Sequence, residues 1–172
     1  MAEQSVFRRR YSCRRFAATP LSQSEIERIL EAAIWAPSAG NLQPWRFIVV
    51  TSGELKQRLA VAAHQEFVGE APAVIAVCAV PGESARRYGE RGRSLYSLQD
   101  TAAATQNILL AASELGLGSC WVGAFEEPAA ATALGLPPAW RPVALVPLGH
   151  PRELPEGRER RPLQEVAVFR TR

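Results

Sequence analysis

The stretch WAPSAGNLQPW, residues 35–45, places two prolines, a glycine and three hydrogen-bonding side chains between two tryptophans. To its left, Ser22 and Glu25 stand at capping-box spacing, and Ile26, Ile29, Leu30, Ala33 and Ile34 recur at helical period. A helix is therefore predicted from Gln23, stopping before Pro37, since the residue ahead of a proline is steered out of the helical region. To its right, RFIVVT (46–51) is apolar and β-branched, the composition of a strand. A plain helix-to-strand connector needs a glycine and a polar residue or two. This one holds Ser38, Asn41 and Gln43 stiffly, more than a connector requires, with turn closure by Asn41 and Gln43 as the bland reading.

Working outward, helical and extended segments alternate. Residues 54–65 are expected to be a helix and AVIAVCAV (73–80) a second strand, followed by a Gly- and Arg-rich loop at 81–93. A long helix over 95–115 is stopped by Gly116. SCWVGAF (119–125) reads as a short strand, 127–134 as a short helix, and RPVALVPLG (141–149) as a strand whose Pro147 suggests an edge or an ending. After a loop marked by Pro151, Pro155 and Gly157, VAVFR (166–170) reads as a last strand. No repeat, low-complexity tract or linker interrupts the pattern. Residues 1–172 are expected to form a single α+β domain.

Composition narrows the function. With 47% hydrophobic and 22% charged residues, the chain has the make-up of a folded domain rather than a disordered one. The longest apolar run, AAATQNILLAA, contains Gln106 and Asn107 and falls short of the roughly 20 residues of a membrane span. No apolar signal region follows the N-terminal arginines. Cys13, Cys78 and Cys120 are odd in number and far apart, against a disulfide framework or a metal site. A cytoplasmic protein without membrane association is expected. One lysine (Lys56) stands against nineteen arginines, and one aspartate (Asp100) against sixteen glutamates. The clusters RRRYSCRR (8–15) and RERR (158–161) suit phosphate or carboxylate contacts. Their charge also permits nucleic-acid binding, a further and less favoured alternative, since no interleaved aromatic stack or reading helix is apparent.

Familiar catalytic patterns are absent. There is no G-x-G-x-x-G after a strand, no P-loop and no G-x-S-x-G, and the H-x-E at His64–Glu66 lacks a following C-x-x-C. No catalytic side chain is assigned, and the hard chemistry falls to a cofactor.

Four segments, taken in order, resemble the FMN-dependent nitroreductase family. RYSCRRF is similar to its R-R-S-x-R phosphate motif, with Arg10, Ser12 and Arg14 in place and Tyr11 where an arginine is usual. APSAGNLQPW follows its P-S-x-x-N-x-Q-P-W loop position for position. LQDTAAATQNILLAASELGLGSCWVGAF resembles its central helix and flavin-contacting strand, and LVPLGHP with RERRPLQEV its last sheet strand and basic tail. The fold implied is a mixed, mainly antiparallel sheet flanked by helices, with the C-terminal strand exchanged in a dimer.

The resemblance also implies roles. Arg10, Ser12 and Arg14 would hold the FMN phosphate, with main-chain contact at Tyr11 and help from Arg160 and, less directly, Arg158. Arg10 and Arg14 would share one side if their segment were helical. Pro37, Ser38, Ala39, Asn41 and Gln43 would meet the flavin's polar edge from the partner subunit of a homodimer. Gly123 and Ala124 would bring backbone to N5, with Trp45 and Trp121 either flanking the pocket or filling the core. NADH or NADPH would supply hydride in a ping-pong cycle to a small electron-poor acceptor: a nitroaromatic, quinone or flavin. Arg86, Arg87, Tyr88 and Tyr96 would meet the second substrate. The same fold also serves flavin-dependent oxidation without nicotinamide and fragmentation of FMN, which the residues alone leave open.

Overall fold

The computed structural model describes residues 5–152 and 159–171. Four strands, β1 (Trp45–Val50), β2 (Ala73–Ala79), β3 (Gly118–Ser119) and β4 (Arg141–Gly149), pair antiparallel in the order β1-β2-β4-β3. Every residue of β2 is buried, which is why its sequence is a continuous apolar run without alternation. Val74 and Ala76 face one cluster and Ile75 and Val77 another. The first cluster takes Leu59 and Ala60 from α3 (Gly53–Ala63), Val68 from α4 (Glu66–Glu70) and Ala130 and Ala133 from α7 (Glu127–Leu134). The second takes Ile29 and Ala33 from α2 (Gln23–Ile34) and Ile108, Leu109 and Ala112 from α6 (Ser97–Glu114). The expected α+β architecture, a mainly antiparallel sheet flanked by helices, is the one found.

The capping box at Ser22 forms as read: Ser22 Oγ accepts from the Glu25 amide and Glu25 Oε2 from the Ser22 amide. Both partners lie in the sequence itself, so this boundary is local. Four other expectations need correction. Residues 81–93 are not a loop. Pro81 starts α5 (Pro81–Arg91), and a π-helical turn over Gly92–Tyr96 runs on into α6. The glycines disguise the helix; Gly89, at φ 58° and ψ −140°, kinks it without ending it.

SCWVGAF contributes only Ser119 to a strand and an isolated bridge from Val122 to Leu145. Pro147 lies inside the sheet, between β2 and the segment after β3. Its carbonyl accepts from the Cys120 amide, so its own nitrogen faces that irregular side, where the ladder loses little. Finally, VAVFR is no strand in this chain: α8 (Leu163–Val166) takes its first residue, the Ala167 amide caps that helix on the Leu163 carbonyl, and the described residues beyond it join no strand. No described helix is long and apolar enough to cross a membrane.

Candidate functional site

The segment after α1 (Val6–Arg9) is extended, not helical. Ser12 bridges Ser119 in parallel, and the Cys13 amide donates to the Ser119 carbonyl at 2.9 Å. In an extended chain alternate residues share a face. Cys13 is buried and Tyr11 and Phe67 pack against it beside Phe16 and Ala71, while Ser12 and Arg14 are exposed and Arg10 is half-buried. The single-sided row of Arg10, Ser12 and Arg14 therefore exists, but with period two rather than the helical period assumed for it. Burial and its Cys13 neighbour push the Tyr11 phenol up to about 12, so it stays neutral.

The row lies against the 118–124 segment. Burial raises the Cys120 thiol and Cys13 adds to that, while Arg14, the Ser12 hydroxyl and Arg10 pull it the other way. Arg14 also stacks over the Phe67 ring at 5.8 Å. Neither Arg10 nor Arg14 forms an ion pair with a described carboxylate. Further along, Gly123 and Ala124 are exposed, and a Cβ on Gly123 would meet only Trp121, at 3.8 Å. Two uncommitted guanidinium groups, a hydroxyl and open backbone fit a phosphate-bearing cofactor. Cys78, by contrast, is pushed up to about 12 by burial and offers no nucleophile.

The 37–43 loop is built differently. Pro37, Asn41 and Gln43 are exposed, with Ser38 and Ala39 half-buried. Gly40, Asn41 and Gln43 adopt left-handed backbone at φ 58°, 56° and 51°. Within the loop, the Asn41 amide donates to the Ser38 carbonyl at 2.9 Å and the Gln43 amide to Ser38 Oγ at 3.0 Å. Gln43 Nε2 reaches Asn41 Oδ1 at 3.3 Å. Ser38 and Gln43 thus close the turn, while both side-chain tips at 41 and 43 still face solvent. Trp45 is buried beside Ala36, Ala104 and Phe47, a core residue rather than a pocket wall.

Ties to the rest of the chain run to α5 and α6. The Ala39 amide donates to Asp100 Oδ1 at 3.0 Å. A Cβ on Gly40 would meet Tyr88 Oη at 2.6 Å and Arg87 Nη1 at 2.8 Å, so these two side-chain tips from α5 back the turn closely where Gly40 takes φ 58°. Tyr88 and Tyr96 meet edge-on at 5.2 Å, with Arg87 over Tyr88 at 5.4 Å and Arg91 over Tyr96 at 5.3 Å. Sequence reading passed over Asp100; its being the one aspartate in the chain was the signal. Arg160 lies in the exposed tail, its Nη1 donating to the Glu159 carbonyl, and Arg158 lies outside the described residues.

The Arg10–Ser12–Arg14 segment thus lies at the irregular end of an antiparallel sheet, where Ser12 bridges Ser119. The sequence pattern described as the nitroreductase family matches residues 7–70 and 61–150, and the chain belongs to that family. It is 40% identical over 149 residues to a candidate NADH dehydrogenase/NAD(P)H nitroreductase of Archaeoglobus fulgidus, covering 84% of this chain and 82% of that protein. The solved nitroreductase family protein of Clostridium difficile superposes with a TM-score of 0.85 at 31% identity, over 96% of each chain. The NADPH:FMN oxidoreductase of Vibrio harveyi, solved with NAD+, gives a TM-score of 0.86 at 27% identity, over 97% of this chain and 76% of its own.

Proposed function

We propose that this protein is an NAD(P)H-dependent flavin oxidoreductase that holds FMN at the interface of a two-fold homodimer. The observation that carries the reading is the Arg10–Ser12–Arg14 row, free of carboxylate partners and set against the 118–124 segment. Kinship with an NADPH:FMN oxidoreductase supports FMN as the group that the row receives. FMN, when bound, supplies hydride acceptance from NAD(P)H and donation to an electron-poor acceptor such as a nitroaromatic, a quinone or a flavin, in ping-pong order.

The chain's own residues bind and orient. Arg10 and Arg14 neutralise the phosphate and Ser12 donates its hydroxyl, with the Tyr11 main chain, Arg160 and Arg158 completing that end. Asn41 and Gln43, with Pro37, Ser38 and Ala39 shaping the turn, meet the polar edge of the ring. Gly123 and Ala124 bring amide donors close because no bulky side chain intervenes. The tyrosine and arginine face of Arg87, Tyr88, Arg91 and Tyr96 receives the second substrate.

Two features support the dimer. In one chain the arginine row is tied to the 118–122 segment, whereas the 37–43 loop is tied to α5 and α6. The tail also leaves Val168 and Phe169 81% and 82% exposed, and among the described residues the outer edge of β1 carries no partner strand. A second copy that accepts the tail covers both liabilities.

The absorption spectrum of purified protein tests the reading. Flavin bands near one per chain, with steady NADH or NADPH oxidation, are expected. A colourless protein with no affinity for added FMN sinks it, and flavin without nicotinamide turnover sinks the reductase.

A further inference from the structure

We infer that Asp100 is the positioning residue of the 37–43 loop: its carboxylate, set in the first turn of α6, holds the Ala39 amide and so fixes how Asn41 and Gln43 are presented. The inference rests on the flavin reading above, because that reading makes this loop part of the binding site.

The loop cannot hold itself. Asn41 and Gln43 sit in left-handed backbone, a conformation that strains a side-chain-bearing residue. The bonds that Ser38 accepts from the Asn41 and Gln43 amides close the turn but do not attach it to anything. Attachment comes from outside: Tyr88 and Arg87 behind Gly40, the Val80 amide on the Pro44 carbonyl, and Asp100 Oδ1 on the Ala39 amide. The last of these reaches the loop's own turn from 61 residues away. It also stands on a rigid base, because α6 spans 18 residues and Asn107 bonds it to the end of α2 through the Ala32 carbonyl.

Stability alone does not explain the aspartate. The residue is only 6% exposed, and Oδ2 is buried with no hydrogen-bond partner among the described residues. Burial raises the carboxyl's pKa and the Ala39 bond opposes it only in part. A group held at such a cost is characteristic of a position whose geometry serves a site. The chain has sixteen glutamates and places its single aspartate here, where the shorter arm spans the 3.0 Å contact. Asparagine offers the same acceptor at the same reach without the charge; glutamate offers the charge at the wrong reach.

The test compares Asp100→Asn, Asp100→Ala and Asp100→Glu in the full chain by three readouts. These are amide hydrogen exchange over residues 39–43 without flavin, FMN affinity, and the midpoint potential of bound FMN. Removing the acceptor in Asp100→Ala should speed exchange at Ala39 about tenfold or more, weaken FMN by a similar factor, and shift the potential. Asp100→Asn should restore all three, and Asp100→Glu should not. If Asp100→Ala lowers only the melting temperature, leaving exchange, affinity and potential as in wild type, the residue merely packs α6 and the inference fails. Should Asp100→Ala not fold, equal behaviour of the Asn and Glu variants overturns it instead. Wild-type protein without FMN affinity would sink the functional reading separately, while exchange at Ala39 still decides the anchor.

Discussion

Lys56 Nζ lies 2.6 Å from the Ala71 carbonyl oxygen and 3.4 Å from that of Pro72, stitching α3 to the turn that leads into β2. In a chain with nineteen arginines the one lysine stands where a compact ammonium meets two adjacent carbonyls, a target that a planar fork fits poorly. Burial lowers its pKa. Lys56→Met should cost about 1–2 kcal/mol by urea denaturation, since the Ala71 carbonyl loses its charged donor. Lys56→Arg should recover little of that loss, and full recovery would refute the fit argument.

Arg14 has no carboxylate to leave behind, so its removal should be felt by the ligand and not by the fold. Arg14→Ala is expected to weaken FMN by about 1.5–3 kcal/mol, tenfold and more. Loss of the Phe67 stacking should lower the melting temperature only slightly. FMN affinity at the wild-type level would remove Arg14 from the site.

Asn41 combines a side chain that faces solvent with a left-handed backbone, and two substitutions separate them. Asn41→Gly keeps the backbone free to adopt φ 56° and deletes the amide. It should shift the flavin potential or weaken binding with little change in melting temperature. Asn41→Ala adds backbone strain, and should lower stability by about 1 kcal/mol beyond Asn41→Gly. If the glycine variant leaves flavin properties untouched, Asn41 only closes the turn.

Glu127 accepts from Arg141 Nε and Nη2, both at 2.8 Å, and that bonding holds its carboxyl below the usual 4.5. Glu25 is lowered as well, by its bonds from Ser22. A carboxyl whose pKa is lower folded than unfolded stabilises the protein above its unfolded value, and that gain is lost as pH falls through the folded value. These two carboxyls should therefore lower the melting temperature as pH falls through their folded values, while Asp100, whose pKa is raised, acts in the opposite sense. The Glu127 and Arg141 side chains are 42% and 48% exposed, so solvent limits the pair to about 0.5 kcal/mol. Glu127→Gln should flatten a small part of the acid slope, and an unchanged slope would show that the pair contributes nothing.

Deleting residues 164–172 removes most of α8 and the apolar tail while keeping Arg160. Dimer stability and FMN occupancy should fall together, read by sedimentation and flavin content. A monomer with full flavin would break the link between assembly and binding. A dimer that survives would refute only the exchange of the tail.

Sequence made the sheet's centre plain, because a run such as AVIAVCA has nowhere to go but between two layers. It made the first long helix plain because Ser22 and Glu25 carry both halves of the cap. What it concealed was settled by tertiary contact. Glycines at 82, 89 and 92 looked like a loop, yet Pro81 opens a helix there that backs Gly40. Tail residues with strand-like alternation found no strand to join within one chain. The arginine row was foreseen as one-sided for the wrong period, since its extended form comes from bridging Ser119, more than a hundred residues away. Asp100 stood out as the one aspartate, but nothing local marks its bond to Ala39.

The alternation of that N-terminal row bears on how the segment can change. Arg10, Ser12 and Arg14 look outward only because Tyr11 and Cys13 look inward, to Phe16 and Ala71. Inserting or deleting a single residue between Arg10 and Arg14 would invert part of the row, turning a guanidinium toward the apolar floor and a tyrosine toward solvent. Exchanges of one side chain for another leave the rest of the row where it was. Over these five positions the protein can vary in letter, but hardly in length.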